Sequence, residues 1–244
     1  MRKRQLFEIG KALFVVPFII VFSLARIVLT EPRAQPIHTA LWSNLFGQIT
    51  AGNIQTIVFS VKSIGLIILF GLLYGRFISQ YFEEISPYVF IRVGNRQKWV
   101  LRKIISLWGI STLFTLFALA TELLIVTMKT KDYGMASGVV TVLLVLLFTL
   151  SSLYTSVCLL INMISIQKGV PIGLVLAFCV VLLLELLAIR FYDSPANIFL
   201  NPMCFNSEII ADTQSAFLKA GIAVLYLVIL SFCTAKYVNI IDIF

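Results

Sequence analysis

The residues whose types could do chemistry are few, and they are badly placed to do it together. Glu83 and Glu84 are adjacent carboxylates, a pairing that could serve acid–base catalysis or hold a metal ion. They have no visible helpers. The single histidine, His38, lies in a separate polar stretch, and no His-Glu-x-x-His or Gly-x-Ser-x-Gly occurs. No Gly-x-x-x-x-Gly-Lys-Ser/Thr loop is present to cradle ATP phosphates. Among the cysteines, Cys158, Cys179 and Cys233 lie within apolar runs, Cys204 lies in a polar segment, and none forms a CxxC pair. They are expected to behave as small buried apolar residues. The chain is therefore expected to be no enzyme, and to hold no metal or cofactor of its own.

More telling are four ionisable residues inside apolar runs: Arg26, Lys62, Glu122 and Glu185. A charge in hydrocarbon is costly, so each should pair or face a cavity. Two cations and two carboxylates balance. Either they form structural ion pairs, with Arg26 and Lys62 also able to snorkel to a surface, or they line the outer end of a translocation path. Gly71 and Gly75 make a small-xxx-small pair suited to close helix packing within a bundle or, alternatively, to a dimer interface. Ser151, Ser152, Thr155 and Ser156 would bond back to their own helix or line a cavity.

The elements that must carry these residues follow from composition. Of 244 residues, 60% are hydrophobic and only 12% charged, about half the charged share of a soluble domain. Lipid must be the solvent for much of the chain. Runs long enough to cross hydrocarbon fall at about 12–29, 57–78, 104–128, 138–164, 171–189 and 217–237. The expected fold is an all-α integral membrane protein of six transmembrane helices in one domain, with Pro171 in the first turn of the fifth. Arg2-Lys3-Arg4 and Ser23-Leu24-Ala25 have some signal-peptide character, but apolar residues run on to Leu29, so a retained first helix is expected.

The net charge of +8 does not indicate nucleic-acid binding, because the basic residues flank the apolar runs. Alternating spans place twelve lysines and arginines on one side and five on the other, with Arg26 and Lys62 deeper within spans. The positive-inside rule puts the twelve, and both termini, in the cytoplasm.

The loop from Ser79 to Lys103 mixes charge with large apolar groups, and Gly94-Asn95 marks a turn. One reading is topogenic charge with an interfacial helix. The other is a docking surface, with Tyr81, Phe82, Tyr88, Phe90 and Ile91 as anchors and Glu83, Glu84, Arg92 and Arg96 setting register. The stretch ends in Arg-x-Gly-x-Arg-x-x-Trp at Arg92, Gly94, Arg96 and Trp99.

With six spans, a basic N-terminal segment and a long outer segment at 190–216, this layout resembles the permease subunits of type-two ABC exporters. The closest likeness is to short bacterial ones tied to peptide or bacteriocin export and immunity. The resemblance implies an amphipathic helix at about Arg2–Gly10, a coupling helix at about Gln80–Val93 that docks on a cytoplasmic ABC ATPase, and re-entrant helices within the outer segment. It also implies a second permease copy or homologue, ATP and Mg held by the partner ATPase, and residence in the bacterial cytoplasmic membrane. The resemblance implies ATP-driven export of a hydrophobic or amphipathic substrate, a peptide by that likeness. An ATP-independent transporter or channel and a non-transporting membrane subunit are the alternatives.

Overall fold

The computed structural model describes residues 10–21, 54–84, 95–130, 137–190 and 213–240. Among them the backbone is helical, with turns and no strand. In chain order the helices are α1 (Gly10–Val21), α2 (Ile54–Tyr74), α3 (Gln80–Glu84), α4 (Arg96–Thr130), α5 (Ser137–Lys168), α6 (Val170–Arg190) and α7 (Thr213–Ile240). Three of the described helices are long and apolar enough to cross a membrane, over Arg96–Met128, Val139–Lys168 and Ala220–Val238.

Local sequence accounts for the irregularities. α1 is interrupted by a turn at Leu13–Phe14, where Leu13 and Phe14 N–H donate to the carbonyls of Gly10 and Lys11. Pro17, four residues after Leu13, lacks an N–H and crowds the Leu13 carbonyl, so regular helix cannot pass there. α5 and α6 are joined by Gly169 alone, at φ +85°. A left-handed residue closes a helix at little cost only when it has no Cβ. Asn95 starts α4 by accepting the N–H of Lys98 on its side-chain oxygen at 3.0 Å, an N-cap.

α5 is the hub, packing against α2, α4, α6 and α7. Of its apolar stretch 67% is buried, against 39% for α4 and 28% for α7, which places those two at the periphery. α4 and α5 run antiparallel. Ser111 Oγ donates to the Ser151 carbonyl at 2.8 Å, while Val126 meets Val139 toward the far end. At the centre, Phe70, Phe114 and Tyr154 pack with ring centroids 5.0–5.6 Å apart.

The polarity pattern is that of a membrane-embedded bundle. Ser111, Thr115, Thr149, Ser151, Ser152, Thr155, Ser156 and Asn162 are buried, whereas Ile105, Leu124, Met128, Leu186 and Phe232 point outward, each more than half exposed. Small polar residues inside and large apolar ones outside suit packing in lipid, where burial of apolar area gives helices no reason to associate. Cys158 is buried as expected, but Cys179 and Cys233 are exposed, on outward helix faces.

Candidate functional site

The sequence suggests that the second span continues to Ile78. Instead α2 ends at Tyr74 and the chain turns through 75–79 into α3. A continuing helix would send the N–H groups of Ile78 and Ser79 to the carbonyls four residues back. Both go to Asn162 of α5, whose Oδ1 accepts them at 2.9 and 2.7 Å. Asn162 Nδ2 donates to the Cys158 carbonyl at 2.6 Å. All three residues are sealed from solvent. One amide thus orients the turn after α2 and ties it to the central helix. The turn supplies the acceptors for α3: Gln80, Tyr81 and Phe82 N–H donate to the carbonyls of Arg76, Ile78 and Ser79.

α3 is also fixed to α4. Lys103 Nζ donates to the Tyr81 hydroxyl at 2.8 Å. It lies 4.1 Å from the Tyr81 ring centroid, 5.7 Å from that of Trp99 and 5.9 Å from that of Phe77, within range of cation–π attraction. Trp99 meets Tyr81 and Phe82 edge-on, at 5.4 and 6.4 Å. Tyr81 and Phe82, expected as anchors for a partner, are therefore half-buried against their own chain. Arg96 is half-buried in the first turn of α4. The side chains of Glu83 and Glu84, and all of Tyr88, Phe90, Ile91 and Arg92, lie outside the described residues.

The close approach of α2, α5 and α6 holds this end together. A Cβ on Gly71 would stand 2.9 Å from the Phe178 ring and 3.1 Å from Ile161. One on Gly75 would meet Ile161 at 3.1 Å and Leu174 at 3.3 Å. The small-xxx-small pair thus packs inside the bundle. Gly173 is tighter still: a Cβ there would collide with Ser165 Oγ and stand 2.9 Å from the Ile161 carbonyl.

Among the intramembrane charges, Glu122 is completely buried. Arg26 lies outside the described residues, as do the side chains of Lys62 and Glu185. The backbone register nevertheless relates the last two. Gly71 and Gly75 oppose Phe178 and Leu174, so α2 and α6 are antiparallel. Lys62 is about 13 Å up α2 from Gly71, and Glu185 about 10 Å up α6 from Phe178 in the same direction. Their backbones therefore lie within about 3 Å of the same height along the bundle.

The hydroxyls of α5 mostly bond back to the helix. Thr155 donates to the Ser151 carbonyl and Ser156 to the Ser152 carbonyl, both at 2.7 Å. The buried Ser152 and Tyr154 hydroxyls have no partner among the described residues.

Sequence reading missed Asn162 and Lys103 as organising residues. Asn162 had a signal, being a lone amide in the apolar run Val157–Ile164, and amides at such positions join membrane helices. Lys103 read as interfacial charge, since nothing in the sequence shows that Phe77, Tyr81 and Trp99 converge on it. The N-terminal segment, His38, Cys204 and the outer segment at 191–212 lie outside the described residues. Comparison of the chain with protein-family models, curated proteins and solved structures gave no match.

Proposed function

We propose that this chain is the membrane-spanning permease subunit of an ATP-driven exporter in a bacterial cytoplasmic membrane, with six spans and both termini in the cytoplasm. The observation that carries the reading is the double attachment of α3. Asn162 ties its preceding turn to the hub helix α5, and Lys103 with Trp99 ties its aromatic side chains to α4. A short helix braced in this way transmits force. A push on α3 reaches α2, α4 and α5 together, because the Asn162 bonds cannot break without leaving two buried N–H groups unpartnered, and the Lys103 and Trp99 contacts hold the other side of α3 to α4.

The cationic flank supports the orientation. Arg76, Arg96, Lys98, Arg102, Lys103 and Lys168 belong to the end of the bundle that bears α3, and such an end faces the cytoplasm. In this reading a separate ABC ATPase holds ATP and Mg and docks on α3 and on Tyr88, Phe90, Ile91 and Arg92 beyond it. ATP binding there biases two packings of the spans. A second copy, or a related permease, completes the path for a hydrophobic or amphipathic peptide.

The test is purification from the native host in mild detergent. The reading expects a stoichiometric partner carrying a phosphate loop, vanadate-sensitive ATP hydrolysis, and loss of the partner in a Phe90→Asp/Ile91→Asp variant. A folded chain that purifies alone and without ATPase activity in several detergents would instead favour an ATP-independent transporter or a non-transporting subunit.

A further inference from the structure

α4 and α7 diverge along a groove of about 870 Å³ whose walls include Leu101, Ile105 and Trp108 from α4 and Val228 and Phe232 from α7. Val228 and Phe232 are 58% and 69% exposed and Ile105 is 67% exposed, so the trough opens outward, where lipid would lie. Its polar residues among those described include Gln97, Ser231 and Lys236. Gln97 and Lys236 share one end. Gln97 is in the first turn of α4, which the antiparallel register sets beside the end of α5, and Tyr237 lies beside Gln167 at that same end. Lys98 and Arg102 are exposed on the same turns of α4.

We infer that this groove is a binding site for an anionic phospholipid, with an acyl chain along Ile105, Trp108, Val228 and Phe232 and the phosphate at Lys236. Charge selects this occupant. Among the described residues the groove has a lysine at its rim and no carboxylate in its walls. A second copy seated here by two-fold symmetry would bring the same cationic rim to its partner. The basic segment Arg2–Arg4 would bring like charge as well. An anionic headgroup neutralises Lys236 while its chain fills an apolar trough of ordinary ligand-site size. Basic pockets between membrane helices hold anionic headgroups for the same reason. The site requires only that the bundle lie in a bilayer, so it stands or falls independently of the exporter reading.

The test uses the full chain in nanodiscs containing dibrominated phosphatidylglycerol or dibrominated phosphatidylcholine at matched mole fractions. Fluorescence quenching that disappears in Trp108→Phe reports the groove. The expected result is that brominated phosphatidylglycerol reaches half-quenching at about a fivefold lower mole fraction than brominated phosphatidylcholine, the selectivity one surface lysine confers. In a chain carrying Lys98→Gln and Arg102→Gln, Lys236→Gln should abolish the difference, as should Ser231→Phe, which fills the trough without touching the charge. Equal quenching by the two lipids in the wild type would overturn the proposal. So would insensitivity to both, the signature of a groove closed by protein, or a preference that survives both substitutions.

Discussion

Replacing Asn162 with leucine removes the acceptor of two buried N–H groups at once while keeping the branched shape and the number of side-chain heavy atoms. A buried donor left without a partner costs about 1–3 kcal/mol. Polar contacts between membrane helices average nearer ~0.6 kcal/mol, because the disrupted state finds other partners. For Ile78 and Ser79 those partners are the Tyr74 and Gly75 carbonyls, reached only by extending α2 and dissolving the turn. A local loss of about 2 kcal/mol lies between these limits and corresponds to roughly 30-fold more frequent opening. Hydrogen exchange of the chain in nanodiscs, followed by mass spectrometry, reads it directly. Peptides containing Gln80, Tyr81 and Phe82 should exchange about 30-fold faster in Asn162→Leu, since their acceptors lie in the turn. Asn162→Asp keeps an acceptor for both N–H groups, and its neutral acid can still donate to the Cys158 carbonyl, so at low pH it should stay nearer the wild type, whereas ionisation adds the cost of a buried charge. Exchange across 76–82 that is unchanged in Asn162→Leu would refute the argument that this amide builds the junction.

Other substitutions test the remaining contacts. Gly173→Ala should lower thermal stability by about 1–3 kcal/mol, and Ser165→Ala in the same chain should not restore it, because the Ile161 carbonyl still obstructs a Cβ. Tyr154→Phe should leave the melting temperature unchanged or raise it, since the hydroxyl it removes is buried with no partner among the described residues; a drop of several degrees would show an unseen partner. Lys103→Met should preserve folding but free Tyr81 and Phe82, detected as a red shift of Trp99 emission relative to a Trp99→Phe control. Glu122→Leu should reduce the yield of folded protein by size-exclusion profile more than Glu122→Gln, which keeps the shape and the hydrogen-bonding capacity; equal yields of all three chains would remove Glu122 from any pairing role.

The sequence discloses most of the helices because their signal is local. Runs such as 138–164 and 217–237 are continuous and apolar, and α5 and α7 form around them. The boundaries that moved did so for tertiary reasons. α2 stops four residues short of Ile78, where Phe77 N–H turns back to the Tyr74 carbonyl and Asn162, over eighty positions away in the chain, takes the N–H groups of Ile78 and Ser79. The Gly71–Gly75 spacing identified a packing face, since only close approach gives two glycines one turn apart a use. Tyr81 and Phe82 show the opposite limit. An exposed aromatic anchor and one packed on a neighbouring tryptophan look alike in sequence, and the structure turns both toward Trp99.

In the proposed exporter, α3 passes force between a partner ATPase and the bundle. This coupling is tested most directly by the vanadate-sensitive ATPase rate of the purified complex in nanodiscs, compared between wild type, Asn162→Leu and Lys103→Met. The account predicts that both variants retain the ATPase subunit but lose the permease-dependent part of its turnover, because docking survives while the braces to α5 and α4 do not. Turnover equal to wild type in both, with the partner still bound, would contradict it.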